Sequence, residues 1–365
     1  MNHATYHSSA GADEHYFSLT SQPDRTFAAE AETLLTRYAD ISQGCGNTLT
    51  LRLHLSDIAN QAAIIRPMLR HMDACISLIG QPPASGARLA LEAWHLDGGR
   101  RTEGTHGLAF AFSPYTILPT AASEPNRQGS HGQTLDAFDC LQKNLDHLGG
   151  CVERDTVRTW LYCRDIDNNY AGLVEARNAW FARHGMTPDT HFIASTGIEG
   201  QQETPSALVG MDALSILGLQ REQIAYMQAP DNLSATHHYG VAFERGTRIT
   251  YGDRSAFYIS GTASIDPEGR IVHPGNVALQ TVRTVANIRA LMERQGATLD
   301  DLKQAVVYLR DTADAPIVAA ELAATQFANI PHIMLKAPVC RPGWLVEIEA
   351  IGISAQGDPR FSPLA

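Results

Sequence analysis

The chain has 365 residues, 44% of them hydrophobic and 18% charged, with a formal net charge of −11. That composition is ordinary for a globular protein with a large buried core, and the acidic balance excludes the basic surface that nucleic-acid phosphates require. No run approaches the roughly 18 to 20 apolar residues of a membrane-spanning helix, and residues 1–22 carry no apolar signal core.

Residues 1–25 read as a flexible tail. Residues 26–230 then read as an N-terminal domain with two degenerate copies of one unit, and residues 231–356 as a C-terminal domain with the most complete copy. A helix is expected over 26–38, a strand pair over 106–117 and a further helix over 134–148. In the last unit a strand at 256–261 leads to a helix at 277–295, with Val282, Val285, Ile288 and Leu291 on one stripe. A strand at 305–309, a helix at 317–327 and a closing strand follow. The order ββαβαβ gives an α+β fold with a mixed sheet and both helices on one face.

The repeat is visible residue by residue. The closing strand Trp344-Leu345-Val346-Glu347-Ile348-Glu349-Ala350 aligns without gaps on Ala207-Leu208-Val209-Gly210-Met211-Asp212-Ala213, and Arg88-Leu89-Ala90-Leu91-Glu92-Ala93 is a third copy. Strands ending on Asp57, Asp165 and Asp311 precede the copies, where an Asp caps the following helix. Glu92, Asp212 and Glu349 recur, which favours a fold-level or surface role for Glu349. Glu347 stands opposite Gly210 and Ala90, so it is private to the third copy, as are Cys340 and Arg341. An acid, a thiol and a cation thus gather at one strand entrance.

Six cysteines, at 45, 75, 140, 151, 163 and 340, show no Cys-x-x-Cys spacing. Free thiols, a cytoplasmic location and neither a disulfide framework nor a zinc site are expected. His237-His238 alone does not make a metal site, no glycine-rich nucleotide loop occurs, and no cofactor or metal is expected. On the strand at 157–164, Arg158, Trp160, Tyr162 and Arg164 share one face. Two cations flanking two aromatics suit either an anionic ring or a stacked structural interface between sheets.

The ββαβαβ unit closing on Val346-Glu347 resembles the YjgF/Rid family, whose members form trimers of such units, and three copies in one chain point to an internal pseudo-trimer. More specifically, Phe243-Glu244-Arg245-Gly246-Thr247, Ser260-Gly261-Thr262-Ala263-Ser264 and Cys340-Arg341-Pro342-Gly343-Trp344 resemble the chorismatases. Ala194-Ser195-Thr196-Gly197-Ile198-Glu199 extends the likeness over about residues 40–355. The resemblance implies chorismate as substrate, pyruvate as one product and Glu347 as the acid that protonates the enolpyruvyl ether. It implies Arg341, Arg158, Arg164 and Arg254 as partners for the substrate carboxylates, with Tyr162, Tyr251, Gly261 and Ala263 around them. Cys340 stands where the hydroxybenzoate-forming chorismatases have Cys, which favours 3-hydroxybenzoate, with or without 4-hydroxybenzoate, over a dihydroxycyclohexadiene acid. Rid-type enamine or imine deamination is the alternative chemistry on this fold. The expected assembly is a monomer with internal pseudo-threefold symmetry or a weak homo-oligomer, with no nucleic-acid or membrane partner.

Overall fold

A computed structural model describes residues 2–104, 107–121 and 125–365. Three sheets follow one another along the chain. The first contains β1 (His3–Tyr6), β2 (Glu14–Thr20), β3 (Asn47–Leu55), β4 (Cys75–Gly80) and β5 (Leu89–Leu96), with α1 (Phe27–Ser42) and α2 (Ile58–Leu69). The second contains β6 (Arg100–Gly104), β7 (Gly107–Phe112), β8 (Tyr115–Thr120), β9 (Thr156–Cys163), β10 (Ala194–Glu199) and β11 (Val209–Leu217), with α3 (Gly129–Asp146), the single turn α4 (Val152–Asp155) and α5 (Ile166–Arg183). The third contains β12 (Ile224–Tyr226), β13 (Gly246–Thr250), β14 (Ser255–Ala263), β15 (Leu302–Leu309), β16 (His332–Lys336) and β17 (Val346–Ser354), with α6 (Val277–Glu293) and α7 (Ala315–Ala323).

Each sheet has the same plan. The strand orders are β1-β2-β5-β3-β4, β10-β9-β11-β8-β7-β6 and β12-β13-β14-β17-β15-β16. In each, one parallel pair joined through a helix (β3 with β4, β9 with β10, β15 with β16) sits among antiparallel neighbours, the mixed α+β arrangement read from the repeat. The parallel pairs need a crossover helix, and the antiparallel ones do not.

Residues 1–25 are not a tail. His3–Tyr6 and Glu14–Thr20 extend the first sheet, and six of the seven β2 residues are buried. Glu14, His15 and Ser18 disguise this strand, because polar side chains are satisfied inside: Trp94 Nε1 donates to Glu14 Oε2 at 3.0 Å. The second sheet ends at Leu217 and the third begins at Ile224. The strand pair expected at 106–117 corresponds to β7 and β8, with His106 outside the described residues. On α6, Val285, Ile288 and Leu291 are buried while Val282 faces out.

The helix caps differ among the copies. Asp57 accepts from the Asn60 N–H at 3.3 Å and Asp311 from the Ala313 N–H at 2.9 Å. Asp165 adopts φ 50 and does not cap. There, Glu199 at the end of β10 accepts from the N–H groups of Asp165 and Ile166, at 2.9 and 2.7 Å.

The units close into a ring. Isolated bridges join β4 to the loop of the second unit (Gly80 with Gln201), β10 to the loop of the third (Ile198 with Val339) and β16 to the loop of the first (Pro83 with Leu335). Helix-facing residues form separate clusters in the first two units. A central cluster gathers Tyr16, Trp94, Phe110, Trp160, Tyr162, Tyr258 and Tyr308 from all three sheets.

Candidate active site between the second and third units

The face that carries Arg158, Trp160 and Tyr162 is an interface, and the stacked reading of that surface is the one the structure adopts. Arg158 lies 4.7 Å over Trp160, and Arg52 of the first unit stacks on the same ring at 3.7 Å. Arg158 Nη2 donates to Glu349 Oε2 at 2.8 Å, Trp160 Nε1 donates to Glu349 Oε1 at 2.8 Å, and the Thr196 hydroxyl also donates to Oε2. Glu349 is therefore a buried tie between the units. Its counterpart Asp212 accepts from Arg52 Nε at 2.7 Å and from the Tyr162 hydroxyl at 3.3 Å. Removing one partner of such a buried pair leaves an uncompensated charge, at a cost of about 3 to 5 kcal/mol.

The other expected substrate ligands are also accounted for elsewhere. Arg254 is fully buried between Glu14 and Asp253, 2.7 Å from each, where it fastens the N-terminal strands to the third unit. Tyr251 packs edge-on against Tyr115 at 5.1 Å. Arg164 donates to the Pro205 carbonyl at the surface. Arg158, Tyr162, Arg164, Tyr251 and Arg254 thus lie outside the cleft that holds Glu347. One strand pattern reads the same whether an arginine faces a ligand or a neighbouring sheet.

Glu347, Cys340, Arg341, Gly261 and Ala263 do come together. They line a cleft of about 510 Å³, open mouth included, with Tyr170, Arg177, Thr196, Tyr239, Phe243, Arg245 and Trp344. β10 and α5 of the second unit form one wall. β14, β17 and the Val339–Trp344 corner of the third form the other.

A β-bulge shapes its floor. The register between β14 and β17 shifts between Ile259 and Thr262, so Ser260 and Gly261 leave the ladder. The freed Gly261 N–H donates to Thr196 Oγ1 at 2.9 Å and the Ser195 N–H to Ser260 Oγ at 2.9 Å, which stitches the two walls together. A Cβ on Gly261 would sit 2.8 Å from Glu347 Cδ and 3.1 Å from Thr196 Cγ2. Gly261→Ala should therefore fold but push the carboxyl aside, lowering kcat by about a hundredfold. Steady-state rates beside a circular dichroism spectrum check this, and an unchanged kcat would mean that the carboxyl need not occupy this position.

Glu347 is only 6% exposed, and none of the described residues hydrogen-bonds its carboxyl. Burial, reinforced by the Glu349 charge on the same strand face and opposed by Arg158 and Arg245, raises its pKa to about 8. It is a neutral acid at neutral pH. Burial and the neighbouring Glu347 also push the Cys340 thiol up to about 12, so this thiol stays protonated beside the Tyr170 hydroxyl.

Three guanidinium groups surround the acid. Arg341 lies 4.5 Å over Tyr239 and 4.9 Å over Trp344, and Trp344 is itself fixed by a 3.0 Å bond from Nε1 to the Ser264 carbonyl. Arg245 donates twice to the Ser234 carbonyl, at 3.0 and 2.8 Å. Arg177, on α5, is 1% exposed, and its Nε and Nη2 have no hydrogen-bond partner among the described residues. A buried, unanswered guanidinium is costly to maintain and marks a place for an anion. Arg245 lies in the Phe243–Thr247 motif, whereas Arg177 sits in a helix whose mixed polarity gives no hint that one arginine faces inward.

The other two junctions have diverged. At Gly210 the Gln202 side chain fills the space where Glu347 projects in the third unit. Near Ala84, Ser85, Ala315, Ala319 and His332 a cavity of about 1220 Å³, open mouth included, remains, and Ala90 holds the acid's position.

The fold is that of a chain of three YjgF/Rid-like α+β units, and the comparisons agree. The family model Endoribonuclease L-PSP matches residues 241–354. A RutC family protein of Saccharolobus solfataricus is 34% identical over 99 residues, 27% of this chain and 75% of that protein. The chain belongs to the RutC family. A chorismatase of Streptomyces rapamycinicus is 25% identical over 284 residues, 71% of this chain and 81% of the relative. The crystal structure of a chorismatase superposes with a TM-score of 0.67 at 20% identity, covering 92% of this chain and 98% of that one. Among the described residues no helix is long and apolar enough to cross a membrane.

Proposed function

We propose that the protein converts chorismate to 3-hydroxybenzoate and pyruvate. The observation that carries this reading is one protonated buried carboxyl, Glu347, facing a cleft ringed by Arg177, Arg245 and Arg341. Chorismate is a dianion with an enolpyruvyl ether, and such an ether is cleaved by protonating its terminal methylene carbon. Glu347 delivers that proton, and the ether becomes an oxocarbenium ion. A neighbouring ring oxygen or water traps it, and pyruvate leaves. The aromatic route consumes no net water: the atoms of chorismate divide into hydroxybenzoate and pyruvic acid, and a ring proton restores the acid. The hydrolytic route adds one water and yields the dihydroxycyclohexadiene acid.

The cations hold the two substrate carboxylates, and the bound negative charge further favours the protonated form of Glu347. Cys340 and Ala263 line the cleft beside the acid. As a protonated thiol, Cys340 acts by its bulk and weak polarity rather than as a nucleophile. Incubation with chorismate, with loss of its diene absorbance and chromatography of the aromatic product, tests the assignment. Turnover without an aromatic product would turn it to the hydrolytic route, and no turnover would remove it.

Two further results are expected. Because the acid acts in its protonated form, kcat/KM should be flat below pH about 8 and fall about tenfold per pH unit above it. A profile that rises through this range would mean that a base is needed instead. If Cys340 helps keep water from the oxocarbenium ion, Cys340→Ala should shift product toward the dihydroxy acid. An unchanged hydroxybenzoate yield at an unchanged rate would leave Cys340 a packing residue and make Ala263 the next position to vary.

A further inference from the structure

The first unit gathers a second set of reactive side chains, away from the Glu347 cleft. His3 on β1, His15 on β2 and Cys45 just before β3 each offer one ligand atom, and these atoms lie within 4.8 Å of one another. Asp97, just after β5, stands beside this trio on the His15 side: its Oδ1 is 3.7 Å from His15 Nε2. Both atoms are buried without a hydrogen-bond partner among the described residues. Leaving two such groups unanswered costs about 1 to 3 kcal/mol each.

We propose that His3, His15, Cys45 and Asp97 form a structural site for a divalent transition cation of the zinc class. Two imidazoles, one thiolate and one carboxylate are a tetrahedral donor set whose two negative charges match the cation. The ligand edges of such a site are about 3.3 to 3.8 Å, so side-chain rotations close the group around an ion. The second layer is in place. Thr5 Oγ1 lies 3.1 Å from both His3 Nε2 and His15 Nδ1. With Thr5 Oγ1 accepting from both rings, His3 Nδ1 and His15 Nε2 would keep their lone pairs for the metal.

The backbone is also fitted to this approach. Gly46 has φ +69, and a Cβ there would sit 2.6 Å from the Asp97 Cα. Only glycine lets the Cys45 turn lie so close to Asp97. The ligands join four separate points of the first sheet and would pin its short edge strand β1, whose last residue Tyr6 and the following Ser8 bond to Asp253 of the third unit.

Cobalt(II) added to chelator-treated full-length protein tests the site, because a thiolate ligand gives a charge-transfer band that histidine and carboxylate do not. One band-forming equivalent per chain is expected, displaced by zinc, with a higher melting temperature in the loaded protein. Cys45→Ser should abolish the band and His3→Gln should weaken cobalt binding at least about tenfold, whereas Cys140→Ser should change neither. His3→Gln, on the edge strand, guards against a loss caused by unfolding, which circular dichroism would also show. Absence of the band in the folded wild-type protein, or its survival in Cys45→Ser, would overturn the assignment.

Discussion

Glu347→Gln is expected to lower kcat by at least about 10³-fold while substrate still binds, because the amide keeps the shape of the acid but has no proton to give to carbon. The same change should make the protein more stable near neutral pH. A carboxyl whose pKa rises from 4.5 unfolded to about 8 folded contributes its full stability only below about pH 4.5. That contribution is lost progressively as pH rises to about 8. At pH 7 the buried acid thus costs up to about 3 kcal/mol, which glutamine removes. Rate assays and thermal melts of one preparation read both effects. A loss of only a few-fold would take Glu347 out of the acid role. Glu349→Gln should slow the reaction less and lower the pKa of Glu347, since it removes a like charge. It should also destabilise the protein, since Arg158 then lacks its partner. If Glu349→Gln proves the more damaging to kcat, the two carboxylates have been assigned in the wrong order.

Arg177→Met should raise KM for chorismate strongly without weakening the fold. The guanidinium is buried with Nε and Nη2 unpaired, so the folded protein loses little when it goes, whereas a bound carboxylate loses a charge-assisted partner. Such a bond contributes about 1.5 to 3 kcal/mol, about a ten- to hundredfold change in KM. Arg341→Ala should act in the same direction. It also frees the faces of Tyr239 and Trp344, so part of its effect falls on the shape of the cleft. An unchanged KM in Arg177→Met, with chorismate still consumed, would assign both carboxylates to Arg245 and Arg341.

The repeat made most of the architecture readable. A strand ending on Asp, a helix and a strand carrying Glu92, Asp212 or Glu349 recur because each unit solves the same packing problem, and the private Glu347 stood out against them. What the repeat concealed was direction. Arg158 and Arg254 look like anion ligands in sequence, yet they are consumed by Glu349 and Glu14 on neighbouring units, pairings that depend on how the sheets close. Arg177 reaches the cleft from a different unit than Glu347. His3, His15 and Cys45 share no spacing motif, since they come from separate strands and a turn. The first strands were hidden for a related reason: a mostly buried strand of Glu, His, Tyr and Ser reads as polar until its partners are known.

Closure of the three units within one polypeptide also sets how changes accumulate. In a ring of identical subunits a single codon alters every junction at once, so a plug, a void or an acid must suit all of them together. Here each junction has its own codons. Gln202 can occupy one, an open cavity can persist at the second, and Glu347, Cys340 and Arg341 can specialise at the third. The two junctions that lack the buried acid remain free to carry the ties that hold the ring.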